Sequence, residues 1–219
     1  MQVQGYQKTF ALDQGTVLSN DQEFQALFNA PLTDGKRQGI CCGLSMVWVA
    51  RRIMFHDETP EQRKAALVSH AGFRFGGRTQ DIMMASDGDG GTEDLYRGWF
   101  GDALATYVLR IVGGTVVDNP RPASIDVLVP GATTTGAYCL YNMGLSTAGG
   151  GAAHMMASYC SHGTFGLGFN RSFYFFDPNM GEYKVGTDDV VPFLRAMKAA
   201  YEGAFLGVND IDQFQVERG

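Results

Sequence analysis

Apolar residues return every three or four positions in the first half of the chain. In the second half they alternate or form short unbroken runs. The first rhythm predicts helices and the second strands. A short strand at Val17-Leu18 is followed by Ser19 or Asn20 as a cap and a helix over about 21–29, with Phe24, Leu27 and Phe28 on one face. After a polar loop from Pro31 to Gly39, a helix runs from Cys41 to about Phe55 on a stripe of Leu44, Val47, Trp48 and Arg51. Thr59-Pro60-Glu61 opens another, to about His70, with proline in the first position and an acid in the first turn. Glycine and arginine punctuate 72–77, and 87–91 reads as a loop closed by Thr92 as a cap. A long helix then carries Leu95, Trp99, Ala103, Leu104, Tyr107, Val108 and Ile111 to about Val112, where Gly113-Gly114 ends it. Strands follow at Val116-Val117 and over 137–141, 153–159, 171–176 and 183–185, then a helix near 188–201 and a last strand near 204–208. Helices first and antiparallel strands after make an α+β chain.

Composition narrows this picture. With 219 residues, 45% hydrophobic and 18% charged, the chain can bury a full core. No linker-like run or repeat divides it, so a single domain over 1–219 is expected. A net charge of −6 and scattered basic residues argue against nucleic acid as a partner. No stretch approaches the ~20 apolar residues of a membrane span. Met1 to Tyr6 has neither the basic nor the apolar segment of a Sec signal peptide, so export by another route is expected. Four cysteines are too few for a disulfide framework, and the adjacent Cys41 and Cys42 are poor partners, so free thiols in a reducing compartment are expected.

Candidate chemistry begins at the junction of the polar loop and the helix at Cys41. A cysteine in a helix's first turn meets unpaired backbone N–H groups and the positive end of the macrodipole, which lower its pKa and make it a better nucleophile. His154 lies in an apolar strand after the small residues Gly149 to Ala153, which leave room for a substrate backbone. His56 and His70 fall at predicted helix ends and His162 in a turn, all expected to be solvated. Asp177 ends the aromatic run Phe173 to Phe176 before Pro178-Asn179, where an acid is also an ordinary turn-former. No Cys/His set has zinc spacing, and Asp87-Gly88-Asp89 lacks the later carboxylate of a calcium loop.

Three islands carry a resemblance. Gly39-x-Cys41-x-x-Leu44-Ser45-x-x-Trp48, then Gly151 to Ala157 around His154, then Phe175 to Glu182 around Asp177, are similar to the nucleophile, histidine and aspartate blocks of the YopT/AvrPphB family of bacterial effector cysteine proteases. The resemblance implies a papain-like cysteine protease fold, with the nucleophile on a helix N-terminus and His and Asp on adjacent antiparallel strands. It selects Cys41 over Cys42 and implies a Cys41–His154–Asp177 triad working through an acyl-enzyme thioester, with no metal or organic cofactor. The interval from His154 to Asp177 is longer than the family's usual one; a hairpin through 161–170 would restore adjacency. The backbone N–H of Cys41 and the Gln38 side chain are the candidate oxyanion donors, although Gln38 lies nearer Cys41 than a papain-type glutamine does. The implied partner is a protein substrate in a host or competitor cell, reached by a secreted effector or toxin. The same triad also serves transglutaminases, deamidases, acyltransferases and cell-wall amidases. A binding module that kept the fold without the chemistry is the remaining alternative.

Overall fold

Successive residues of a strand face opposite sides of a sheet, and in the central strands both sides are apolar. Met155 and Met156 are both buried, as are Phe175 and Phe176. Such strands need cover on two faces, and the fold supplies it. The computed structural model describes residues 1–20, 39–85, 92–118, 124–164, 166 and 168–219. Seven strands, β1 (Lys8–Ala11), β2 (Leu109–Asp118), β3 (Tyr138–Thr147), β4 (Gly150–Cys160), β5 (Ser172–Asp177), β6 (Gly181–Gly186) and β7 (Gly207–Arg218), form one sheet in the order β1-β6-β5-β4-β3-β7-β2. Every neighbouring pair is antiparallel.

One face packs against the helices α2 (Cys41–Met54), α3 (Pro60–Leu67), α4 (His70–Ala85) and α5 (Thr92–Ala105). Leu44, Trp48, Phe73 and Leu104 meet Leu140, Met155, Phe176 and Phe214 there. The other face packs against Phe193, Leu194, Met197 and Tyr201 of the C-terminal helix (Val190–Ala204), which meet Tyr141, Met143, Met156, Phe175 and Ile211. Two smaller helices, α1 (Gln14–Asn20) and α6 (Val129–Thr133), complete the described helices apart from short 3₁₀ turns.

The predicted α+β class and the adjacency of the β4 and β5 strands hold. Four readings change. Val17-Leu18 belongs to the helix Gln14–Asn20 rather than to a strand. Residues 72–77 are the interior of α4: a Cβ on Gly43 would collide with the Gly76 carbonyl, so the glycines let α2 and α4 touch backbone to backbone rather than break the chain. The long helix stops at Ala105, and the run from Leu109 to Asp118, with Gly113-Gly114 inside it, is β2 paired to β7. Its β-branched residues satisfy the sheet better than a helix. The last strand runs from Gly207 to Arg218, because its alternation continues past the short apolar run expected near 204–208. The helix expected over 21–29 and the loop over 87–91 lie outside the described residues.

Candidate active site

The strand β4 pairs with β3 along its whole length but with β5 only from Ala157 to Cys160. Its first seven residues therefore have one edge without β5, and the start of α2 docks onto that edge. The Ser45 hydroxyl donates to the Met155 carbonyl at 3.0 Å, and the Met155 N–H donates to the Cys41 thiol. The motif residues explain themselves here. Ser45 and Cys41 occupy the backbone groups that a neighbouring strand would otherwise take.

Farther along α2, Trp48 stacks on Phe176, with ring centres 5.7 Å apart and planes 5° apart. Its indole N–H donates to Glu182 at 2.8 Å. Glu182 is fully buried and also receives both ends of the Arg63 guanidinium, at 2.7 and 2.8 Å, and the Thr9 hydroxyl at 2.9 Å. This knot ties α2, α3 and β1 to β6 just beyond Asp177.

Cys41 is the first residue of α2, and the Ile40 cap makes no side-chain bond to the helix. No acidic residue stands in the first turn, so the helix's positive end is left to the thiol. Cys42, one step around the helix, is buried in the core, and burial followed by the neighbouring Cys41 charge pushes its thiol well above the ordinary value. His154 shares a side of β4 with Met156, and Asp177 shares a side of β5 with Phe175. Nε2 of His154 lies 3.0 Å from Oδ1 of Asp177. The thiol of Cys41 hydrogen-bonds the imidazole, which leaves Nδ1 as the ring nitrogen for it.

Three more side chains complete the cluster. The Tyr201 hydroxyl donates to Oδ2 of Asp177 at 2.7 Å, and its ring lies 5.2 Å from that of His154. The Asn179 backbone N–H donates to Oδ1 of Asp177 at 2.7 Å. The Asn179 amide nitrogen is 3.5 Å from Nδ1 of His154. Gln14 donates to the Asn179 side-chain carbonyl at 2.8 Å and accepts from the Ile40 N–H at 2.9 Å. The acid at 177, which ends a strand before a turn, is thus held by three donors from three directions.

Burial opposes charge on both members of the Cys41–His154 pair. It pushes the thiol up and the imidazole down, but their neighbours outweigh it. Cys41 ends below its ordinary value because His154 and the Met155 and Cys42 N–H groups favour the thiolate. His154 is raised to about 10, by the charge and hydrogen bond of Asp177 and then by Cys41. The arrangement favours the charged form of both members, a thiolate beside an imidazolium.

The sequence reading places Cys41, His154 and Asp177 in the cluster, and the structure brings all three together. Gln38 lies outside the described residues. His56 and His162 are exposed, and neither approaches the cluster. Tyr201 and Gln14 escaped sequence reasoning, since a tyrosine in an amphipathic helix and a glutamine near the N-terminus carry no local signal. Asn179 stands in the aspartate block, two residues after the acid, and that spacing was its signal. Among the described residues no cluster of three His, Cys, Asp or Glu side chains has the arrangement of a metal site.

No protein-family profile matches the chain, and no curated sequence matches it. Solved structures do. The Pseudomonas avirulence protein AvrPphB superposes with a TM-score of 0.65 at 16% identity, over 84% of this chain and 94% of that one. The chain shares its fold with AvrPphB. The cysteine protease-like domain PatoxP of the Photorhabdus asymbiotica toxin PaTox matches with a TM-score of 0.50 at 10% identity, over 98% of this chain and 55% of that one. The resemblance read from three short islands therefore extends to the fold: mixed helices and antiparallel sheet, as in AvrPphB and PatoxP.

Proposed function

We propose that the chain is a cysteine peptidase in which Cys41 is the nucleophile, His154 the acid and base, and Asp177 the group that orients the imidazole. The observation that carries this reading is the imidazole of His154, bonded through Nε2 to a buried carboxylate and coupled in charge to a thiol at a helix N-terminus. The thiolate attacks an amide carbonyl carbon, forming a C–S bond and an oxyanion whose proposed donor is the Cys41 N–H. Collapse expels the amine, which takes the Nδ1 proton of His154. Water then attacks the thioester, giving its proton to His154 and releasing the acid and the thiolate.

Asp177 holds the ring so that Nε2 carries a proton and Nδ1 faces the sulfur. The likeness to an avirulence protein and a toxin domain supports a bacterial effector or toxin; the proposed substrate is a protein of a host or competitor cell. A comparison of new protein termini after exposure to wild type and to Cys41→Ala tests the reading. Termini that appear only with wild type are expected. Identical sets, or transfer to an added amine without cleavage, would overturn the peptidase assignment.

A further inference from the structure

The Ile40 N–H, from the residue before Cys41, is a backbone donor, so the Gln14 atom it meets must be the amide oxygen. The other end of Gln14 is then its NH₂ group, which fixes the Asn179 atom opposite it as the carbonyl oxygen. Asn179 therefore turns N–H groups, not its carbonyl, toward His154 Nδ1 and the Tyr201 hydroxyl. Gln14 itself is buried, and its backbone N–H donates to the Pro178 carbonyl at 2.9 Å, so the whole junction is locked to the turn after Asp177.

We infer that Gln14 is a positioning residue for the thiol–imidazole pair: by fixing the Asn179 amide, it leaves the Cys41 sulfur as the acceptor offered to the Nδ1 proton of His154. This rests on the proposed pairing of Cys41 with His154. If the amide were free, its carbonyl would turn to the Nδ1–H of the imidazolium and draw that proton away from the thiolate. The thiolate would lose its strongest partner, and the thiol would hold its proton to higher pH.

The ionisable groups around the imidazole are Cys41 from α2, Asp177 from β5 and Tyr201 from the C-terminal helix. Cys42 acts on Cys41, and Lys8 of β1, near Asp13, acts on Asp177. None of these changes when Gln14 is replaced, so a shift in the thiol's titration reports the amide.

Iodoacetamide alkylation of Cys41 in the full chain, followed across pH by mass spectrometry, tests the inference without any substrate. Wild type should react with a midpoint well below the ~8.5 of a free thiol. Gln14→Ala should raise that midpoint by about one unit, the size expected when a charged group loses a close partner. Gln14→Glu keeps the Ile40 bond, reverses the amide and adds a negative charge, so it should raise the midpoint further. If the alanine variant does not fold, Gln14→Glu compared with and without Asn179→Ala decides the matter, because the added charge acts in both backgrounds and the amide in one. A smaller shift is expected with Asn179→Ala, and an equal one overturns the role of Gln14. In an Asn179→Ala background, Gln14→Ala should add no shift.

A low wild-type midpoint that neither Gln14 variant moves, whatever happens to thermal stability, overturns the role of Gln14 while leaving the pair standing. An equal shift in the Asn179→Ala background overturns it too. A wild-type midpoint at the free-thiol value removes the proposed pairing and this inference together.

Discussion

At the scale of single residues, two adjacent cysteines differ because a helix turns each residue about 100° from the last. Cys41 faces His154, whereas Cys42 sits in the core with its thiol pushed well up by burial. Cys41→Ala should abolish peptide release, and Cys42→Ala should retain most of it, measured on any substrate found by the terminus comparison. Asp177→Asn keeps the shape but offers an N–H where Nε2 needs an acceptor, which favours the wrong tautomer. A loss of well over tenfold in kcat is expected, with near-native circular dichroism. Tyr201→Phe removes one donor from Oδ2 of a buried carboxylate. A stability loss of about 1–3 kcal/mol by urea titration is expected, the cost of a buried acceptor left unsatisfied. The accompanying kcat loss should be smaller than for Asp177→Asn, because His154 keeps its bond.

At the scale of elements, the nucleophile helix is placed by the knot at Glu182. Trp48 reaches it from α2, Arg63 from α3 and Thr9 from β1, and both charges of the Arg63–Glu182 pair are out of solvent. Removing one partner of such a pair leaves an uncompensated buried charge, so Glu182→Ala should cost about 3–5 kcal/mol in a urea titration. The cysteine, at the other end of α2, should keep its low alkylation midpoint in the folded fraction. An unchanged stability would mean that Arg63 finds another partner. The contact of Gly43 with Gly76 is equally strict: Gly43→Ala forces α2 from α4 and is expected to lower the melting temperature sharply.

At the scale of the whole molecule, the thiol–imidazole pair predicts how stability varies with pH. The folded pKa of His154 is raised, so its contribution is complete below the unfolded value of ~6.5 and disappears as pH rises toward about 10. Cys41 is depressed, so its contribution is complete above the unfolded ~8.5 and disappears as pH falls through the folded value. Just below ~8.5 the two groups titrate in opposite senses, so their slopes oppose each other. Melting temperature should therefore vary less with pH there than between ~8.5 and about 10, where only the His154 contribution changes. In a Cys41→Ala, His154→Ala double variant the contrast should shrink. A wild-type profile identical to that of the double variant would show that the pair is not charged in the folded state.

Periodicity by itself determined the α+β class and the placement of Cys41 at a helix start, because these depend on contacts within a few residues. Three short islands were enough to bring Cys41, His154 and Asp177 forward, since each chemical type stood in a recognisable local setting. Only the tertiary structure decided the rest. The glycines at 72–77 looked like breaks because the backbone of α2, which they admit, lies far away in sequence. The residues from Leu109 to Asp118 looked helical until β7 offered them hydrogen bonds. Tyr201 reaches the Asp177 carboxylate from 24 residues away, Asn179 reaches the imidazole from 25, and Gln14 reaches Asn179 from 165. Nothing in a local pattern encodes such a meeting; it follows from burying two apolar faces of one sheet, which brings the N-terminal segment and the C-terminal helix to the same end of β4.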